Sequence, residues 1–84
     1  MKNSTLSQDP IPLSNITVGT TVQVLDLKTT GLSRRRMLDL GIVPGTIINV
    51  LRKSPLGDPI AYNIRGATIA LRKEESSQIL VNPI

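Results

Sequence analysis

Apolar and polar residues alternate along several short segments of the chain, and this period of two predicts β-strands. Segment 20–27 is rich in β-branched residues and alternates, so Val22 and Val24 are expected on one face of a strand. Segment 46–53 predicts a second strand, and a short closing strand is predicted over 79–81. These segments indicate a mainly β chain.

A tight hairpin is predicted around Arg65 and Gly66. Apolar residues alternate over 60–64 before this pair and over 67–71 after it. A two-residue connection that ends in glycine is typical of a β-hairpin. Segment 72–78 is polar and long enough for one helical turn.

One longer helix, Arg34–Leu40, is predicted between the first two strands. Ser33 is the expected N-cap, and Gly41 stands where a helix C-terminus favours a left-handed residue. The Pro-Gly pair at 44–45 then predicts a type II turn that leads into the next strand.

The predicted fold class is mainly β: a small SH3-like barrel of about five strands with one short α-helix inserted after the first strand. Closing the sheet buries its apolar face and removes open edges. An OB-fold is the alternative. Residues 1–12 are polar and predict a flexible N-terminal tail, so the barrel domain is expected over 13–84. Ser14 is expected to cap a single helical turn through Ile16.

Composition restricts the core and the cellular environment. Of the 84 residues, 39% are hydrophobic but only Tyr62 is aromatic, so the core must be aliphatic. There is no cysteine, which leaves no disulfide framework. The polar N-terminal sequence predicts no signal peptide, and no apolar run approaches the roughly 18 residues of a membrane span. The expected localisation is cytoplasmic.

The ionisable residues do not predict an enzyme or a metal site. The chain has no histidine and no cysteine, so neither a histidine-based triad nor a thiolate nucleophile is available. First-row transition metals favour imidazole, carboxylate and thiolate ligands, of which only carboxylates are present. No catalysis, no cofactor and no bound metal are expected. The six scattered carboxylates are Asp9, Asp26, Asp39, Asp58, Glu74 and Glu75.

Three successive arginines, Arg34, Arg35 and Arg36, open the predicted helix. Because successive helical residues are turned by about 100°, the three side chains fan over about 200° and at least one must border the apolar stripe. Three interpretations stay open: a hydrated helix face, contact with an acidic protein partner, and contact with nucleic acid. The net charge of +4 does not decide between them, but too few aromatic residues accompany the arginines for single-stranded nucleic acid.

Two apolar features are candidate contact points. Met37 and Leu40 share one face of the predicted helix, and one large apolar side chain among Met37 and Leu38 is expected to stay partly exposed. The loop 54–59, "SPLGDP", is either a rigid knob that faces a partner, with Leu56 at its tip, or a structural connector.

Three motifs in this order resemble the FeoA family, the small cytosolic component of bacterial ferrous-iron transport. They are the basic helix that ends in "LDLGIVPG", the loop "SPLGDPI", and the C-terminal "IALRKEESSQILV". With "LSNITVGTTVQV" upstream, the resemblance covers roughly residues 13–82.

The resemblance implies an SH3-like fold and an accessory role beside the membrane GTPase transporter FeoB. The chain is then expected to lie at the inner membrane only through this partner, to bind no nucleic acid, and to have the option of forming a homo-oligomer. FeoA-like domains also occur in iron-dependent repressors, so the alternative is a regulatory or nucleic-acid-binding module. The predicted partner-binding residues are Arg34, Arg35, Arg36, Met37, Leu40, Pro55, Leu56, Gly57 and Asp58.

Overall fold

Antiparallel strands and two helices form the chain over residues 9–84, which are the residues that the computed structural model describes. The strands are β1 (Ile11–Pro12), β2 (Thr21–Leu27), β3 (Ile47–Lys53), β4 (Ile60–Ile64), β5 (Ala67–Leu71) and β6 (Ile79–Pro83). The helices are α1 (Gly31–Asp39) and α2 (Lys73–Ser76), and a 3₁₀ turn covers Leu13–Asn15. The strands form one sheet in the order β1-β6-β2-β3-β4-β5.

The sheet curls around a single aliphatic core, as the sequence predicts for an SH3-like barrel. Register shifts between Val24 and Asp26 and between Val50 and Arg52 interrupt two of the ladders, and such bulges increase the local twist and bend of a strand. The strands β2 to β6, α1 and the turn before β2 all contribute buried side chains to one cluster. These side chains include Leu13, Val22, Val24, Met37, Ile42, Ile48, Val50, Ile60, Tyr62, Ile64, Leu71, Ile79 and Val81.

The sheet contains an N-terminal strand, β1, that the sequence did not predict, because the first predicted strand was 20–27. Residues 1–8 of the predicted tail lie outside the described residues, but Ile11 and Pro12 pair with Val81 and Leu80 of β6. The predicted boundary after residue 12 is therefore wrong at these two positions. A proline is tolerated in β1 because this strand is at an edge, where one of its backbone sides needs no ladder partner. The predicted cap is also wrong, because Ser14 lies inside the 3₁₀ turn and Pro12 precedes it.

Helix α1 also begins earlier than predicted, at Gly31 rather than Arg34. The residue before it is Thr30, with φ −134° and ψ 173°, so Ser33 lies inside the helix and the predicted N-cap is wrong. The Thr30 side chain makes no capping hydrogen bond. The helix therefore starts without the side-chain signal on which the prediction depended.

The end of α1 and the turn after it match the prediction. Gly41 has φ +88°, and its N–H donates to the Leu38 carbonyl at 3.0 Å. Gly45 has φ +96°, and the Thr46 N–H donates to the Val43 carbonyl at 3.0 Å, as a type II turn requires. These two glycines occupy left-handed conformations that other residues rarely adopt.

The β4–β5 hairpin is confirmed. Its two-residue connection has φ 54° at Arg65 and φ 87° at Gly66, and these paired positive values define a type I′ turn. The register then pairs Ile64 with Ala67, Tyr62 with Ile69 and continues to the end of β5. The alternating apolar residues of β4 face the core as predicted.

Candidate partner-binding surface

The three arginines of α1 have three different environments. Arg34 is half-buried, and its Nη1 donates to the Leu27 carbonyl at 3.2 Å, which fastens the helix to the end of β2. Arg36 forms an ion pair with Glu75 on α2. Arg35 is exposed and makes no hydrogen bond or ion pair with any residue between 9 and 84. Arg35 is therefore the arginine of the three that is available to a partner.

Met37 is a core residue and not a surface residue. Its side chain is 1% exposed and belongs to the central cluster, so the structure removes it from the predicted contact set. Leu40 is half-buried and packs against the same cluster. Leu38 is 38% exposed, which confirms that one large apolar side chain of this pair stays partly at the surface.

Sequence reasoning missed Leu32, which is 89% exposed in the first turn of α1. Leu32 and Arg35 are three residues apart and therefore lie on one helix face. The expected cap at Ser33 placed Leu32 outside the helix, and no other local signal contradicted that placement. The exposed face of α1 thus combines an apolar and a basic side chain.

The loop 54–59 is held by backbone hydrogen bonds and presents its tip to solvent. The Ser54 N–H donates to the Pro59 carbonyl at 3.1 Å, and the Gly57 N–H donates to the Ser54 carbonyl at 2.8 Å. Pro55 is exposed and Leu56 is 94% exposed. A fixed loop with a nearly fully exposed leucine is suited to binding, because little conformational freedom is lost on contact.

Helix α2 connects this loop to α1, and sequence reasoning had assigned it no role. Asp58 Oδ1 accepts a hydrogen bond from the Lys73 N–H at 2.9 Å, which joins the loop to the start of α2. Glu75 Oε1 accepts from the Arg72 N–H at 3.1 Å, and its other oxygen pairs with Arg36. The bridging role of Glu75 has no signal in the sequence, because it depends on two segments that meet only in the folded chain.

The contacts through α2 bring the predicted helix and the loop 54–59 into one surface. We call the exposed sides of α1, α2 and the loop 54–59 the helix–loop surface. Gly57 is half-buried in it, and the exposed Asp58 is already engaged with α2. Its exposed apolar and basic side chains include Leu32, Arg35, Leu38, Pro55, Leu56 and Lys73. The acidic Asp39 and Glu74 are exposed on the same two helices.

Two further properties bear on what this surface does chemically. Within residues 9–84, no group of three histidine, cysteine, aspartate or glutamate side chains is placed to hold a metal ion. Over the same residues, no helix is long and apolar enough to cross a membrane. The absence of a bound metal or cofactor stays a prediction of the sequence.

Tyr62 lies beneath α2 with its side chain fully buried. Its hydroxyl makes no hydrogen bond of ordinary geometry with residues 9–84, but the Ser76 hydroxyl lies close enough to act on it. Burial raises the pKa of Tyr62 above its usual value of 10.0, the Ser76 hydroxyl lowers this pKa by less, and the Asp58 carboxylate adds a smaller rise. The folded chain therefore holds the phenol in its neutral form at a pH where the unfolded chain ionises it.

We expect the free energy of unfolding to fall as the pH rises above about 10, because there the unfolded chain releases the Tyr62 proton while the folded chain retains it. Denaturant unfolding followed across this range by circular dichroism measures the loss. The Tyr62→Phe variant lacks the ionisable group, so its free energy of unfolding should fall less over the same pH range. Since Tyr62 is the only tyrosine, tyrosinate absorbance reports its ionisation directly. Equal declines in both proteins would contradict the expectation.

Comparison with protein families supports the resemblance that the motifs suggest. The family model described as the FeoA domain matches residues 11–83. An Fe(2+) transport protein A/Fe(2+) transporter FeoB fusion protein of Porphyromonas gingivalis is 33% identical over 72 residues, which cover 86% of this chain. The chain spans only 8% of the length of that curated relative.

Solved structures show the same fold. The FeoA-like protein of Clostridium acetobutylicum superposes with a TM-score of 0.85 at 38% identity, over 92% of this chain and 90% of that one. FeoA of Stenotrophomonas maltophilia, solved with zinc and described as an SH3 domain protein, gives a TM-score of 0.74 at 26% identity, over 83% of this chain and 87% of that one.

The fold extends beyond ferrous-iron transport proteins. A manganese-dependent transcriptional repressor superposes with a TM-score of 0.82 over 93% of this chain and 44% of that one. The two sequences are only 20% identical, so this likeness shows a shared SH3-like fold alone.

Proposed function

Because the chain belongs to the FeoA family of ferrous-iron transport proteins, we propose that it is a non-catalytic accessory that binds and modulates a FeoB-like membrane GTPase transporter through protein–protein contacts. The observation that carries this proposal is the Porphyromonas gingivalis fusion, in which FeoA and FeoB form one polypeptide. Fusion holds two modules at a high effective concentration, which is useful when their separate forms must associate.

The helix–loop surface is the proposed contact. Leu56 projects from a loop that backbone hydrogen bonds fix, and Arg35 projects from α1 without an internal partner among residues 9–84. An apolar anchor on the loop and an uncommitted guanidinium on α1 together fit an acidic partner surface with an apolar pocket, since aromatic and arginine side chains are enriched among the residues that dominate binding energies. Helix α2 links the loop to α1: Asp58 of the loop accepts a hydrogen bond from the Lys73 N–H of α2, and Glu75 of α2 pairs with Arg36 of α1.

Association, rather than chemistry, is the activity that these side chains support. FeoA domains are small accessory domains, and the side chains proposed for the contact, which are Leu32, Arg35, Leu38, Pro55 and Leu56, are apolar or cationic. Among residues 9–84, the hydroxyls of Ser76 and Ser77 donate to backbone carbonyls and not to a carboxylate base, which an activated nucleophile would need. The expected effect of the chain is therefore exerted on its partner.

We expect Leu56→Ser to weaken binding to the full transporter in detergent by about tenfold, because an exposed apolar anchor is lost. Arg35→Glu should weaken binding by about fivefold and reduce its dependence on salt, because the favourable charge is reversed. Amide-resolved NMR titration of the 84-residue chain measures both effects. Val18→Ser, at a 43% exposed valine outside the helix–loop surface, is the matched control and should bind normally.

Amide shifts confined to the helix–loop surface would support the proposed contact. No shift with either the full transporter or its cytoplasmic GTPase region, in a folded sample, would refute it. Retention on DNA that falls steeply between low and moderate salt would instead favour the regulatory alternative, since phosphate contacts are lost in that way.

A further inference from the structure

The outer edge of β5 is a candidate binding surface outside the helix–loop surface. β5 is the last strand in the sheet order, and no strand within residues 9–84 pairs with its outer side. Its sequence, Ala67–Leu71, contains no charged residue and no proline. Natural proteins usually protect an open edge with such residues, because an unprotected edge accepts another strand.

The hairpin geometry determines which backbone groups of β5 point outward. In a two-residue hairpin, the closing pair Ile64 and Ala67 is hydrogen-bonded through both its N–H groups. Non-hydrogen-bonded and hydrogen-bonded pairs then alternate along the two strands. The N–H and C=O groups of Thr68 and Ala70 consequently point away from β4. These two residues offer donors and acceptors at the spacing that an added strand requires.

A groove of about 370 Å³ adjoins this edge. The register places Arg52 opposite Ala61 and Ala61 opposite Ala70, so one cross-strand row runs from β3 to the open edge. A residue added opposite Ala70 would extend this row and place its side chain over the groove. The groove is lined by Arg52, Lys53, Ser54, Pro55, Pro59, Ala61 and Ala70.

The lining fits an acidic side chain. Alanine and proline side chains form an apolar floor, whereas the exposed Arg52 and Lys53 supply two positive charges and the lining contains no acidic residue. The Ser54 hydroxyl is buried and has no hydrogen-bond partner within residues 9–84. A glutamate would place its methylene groups on the apolar floor and its carboxylate among these donors.

The ends of β5 also favour an acidic partner over a second copy of the chain. Arg65 precedes the strand, and Arg72 and Lys73 follow it. If two copies paired antiparallel through β5, the basic end of one strand would meet the basic end of the other, and like charges placed opposite each other destabilise a sheet. An extended segment with acidic residues at both ends would instead be attracted to the basic residues at the two ends of β5.

We propose that the β5 edge binds an extended acidic segment of a partner protein by β-strand addition, with one acidic side chain of that segment in the groove. The β5 edge itself lies outside the helix–loop surface, although the groove shares Ser54, Pro55 and Pro59 with the loop 54–59. The two proposals are therefore tested at different residues.

The test uses the full 84-residue chain and a blocked peptide of sequence Glu-Val-Glu-Ile-Thr-Val-Glu, with a matched peptide in which every glutamate is lysine. We expect the acidic peptide to shift the amide signals of β5 and to bind less tightly as salt increases. At about ten times its Kd, it should slow amide exchange at Thr68 and Ala70 by about tenfold. The lysine peptide should cause neither effect.

Two variants separate the backbone from the charge contribution. Thr68→Pro removes an N–H that points outward from β5 and should weaken the binding of the acidic peptide by about tenfold. Arg52→Glu reverses one charge of the groove and should weaken the binding of the acidic peptide by about fivefold, while the backbone donors and acceptors of β5 stay unchanged. Arg35→Glu is the matched charge control, since it makes the same substitution on α1, and it should bind the peptide as well as the unchanged chain does.

Three results would overturn the proposal. The first is equal binding of the lysine and glutamate peptides, and the second is a folded Arg52→Glu variant that binds the acidic peptide normally. The third is concentration-dependent dimerisation that Thr68→Pro abolishes, because the occupant of the edge would then be a second copy. The Arg35→Glu control distinguishes this proposal from the transporter contact, since that substitution is expected to affect the transporter alone.

Discussion

Replacing Met37 by glutamine is expected to lower the free energy of unfolding by about 3 kcal/mol. The Met37 side chain is 1% exposed and is the fully buried residue of α1, so it fastens the helix to the barrel core. Glutamine has a similar length, but its amide must lose water without a partner in an aliphatic cluster. Such a loss is a large fraction of the stability of a domain of this size. Denaturant unfolding followed by circular dichroism measures it.

Leu38→Gln is the matched control, because the neighbouring leucine is 38% exposed and its replacement keeps the amide in contact with water. We expect this variant to change the free energy of unfolding by about 0.5 kcal/mol or less. If Met37→Gln unfolded at the same denaturant concentration as the unchanged chain, Met37 would be accessible, and its sequence-based assignment to the contact surface would be restored.

Replacing Gly41 by alanine is expected to cost about 2 kcal/mol, the second largest effect among these variants. Gly41 has φ +88°, a conformation that costs alanine about 1–2 kcal/mol. An added Cβ would also lie 2.6 Å from Cδ of Arg65, so the arginine side chain must move. Thermal or denaturant unfolding measures the combined cost.

Gly45→Ala separates these two causes. Gly45 has φ +96°, yet an added Cβ there meets no atom within 4 Å, so only the backbone cost of about 1 kcal/mol remains. The difference between the two variants is the contribution of the Arg65 contact. If both glycines tolerated alanine equally, the Arg65 side chain would move away at no measurable cost.

The helix–loop surface shows how a correct local prediction can produce an incomplete site. The sequence predicted a helix with an apolar stripe and left the loop 54–59 as either a rigid knob or a structural connector. In the structure one side chain of α1 is fully buried and the loop is held by backbone hydrogen bonds. The sequence could not predict which helix face meets the barrel, because the packing of α1 against the core decides which apolar side chain is buried. Met37 lies in the core, and Leu32, which belongs to the helix because α1 begins at Gly31, is an exposed apolar residue.

The amino-acid sequence by itself determined the strands, the hairpin and the glycine-terminated helix, because each depends on neighbouring residues whose period and turn chemistry are visible locally. It also determined that the core is aliphatic and that the chain lacks the side chains of histidine or thiol catalysis. Tertiary structure alone decided the pairing of β1 with β6, the burial of Met37 and the contact of Arg36 with Glu75 across 39 positions. These features depend on how separate segments meet around one core, and no local pattern encodes that meeting.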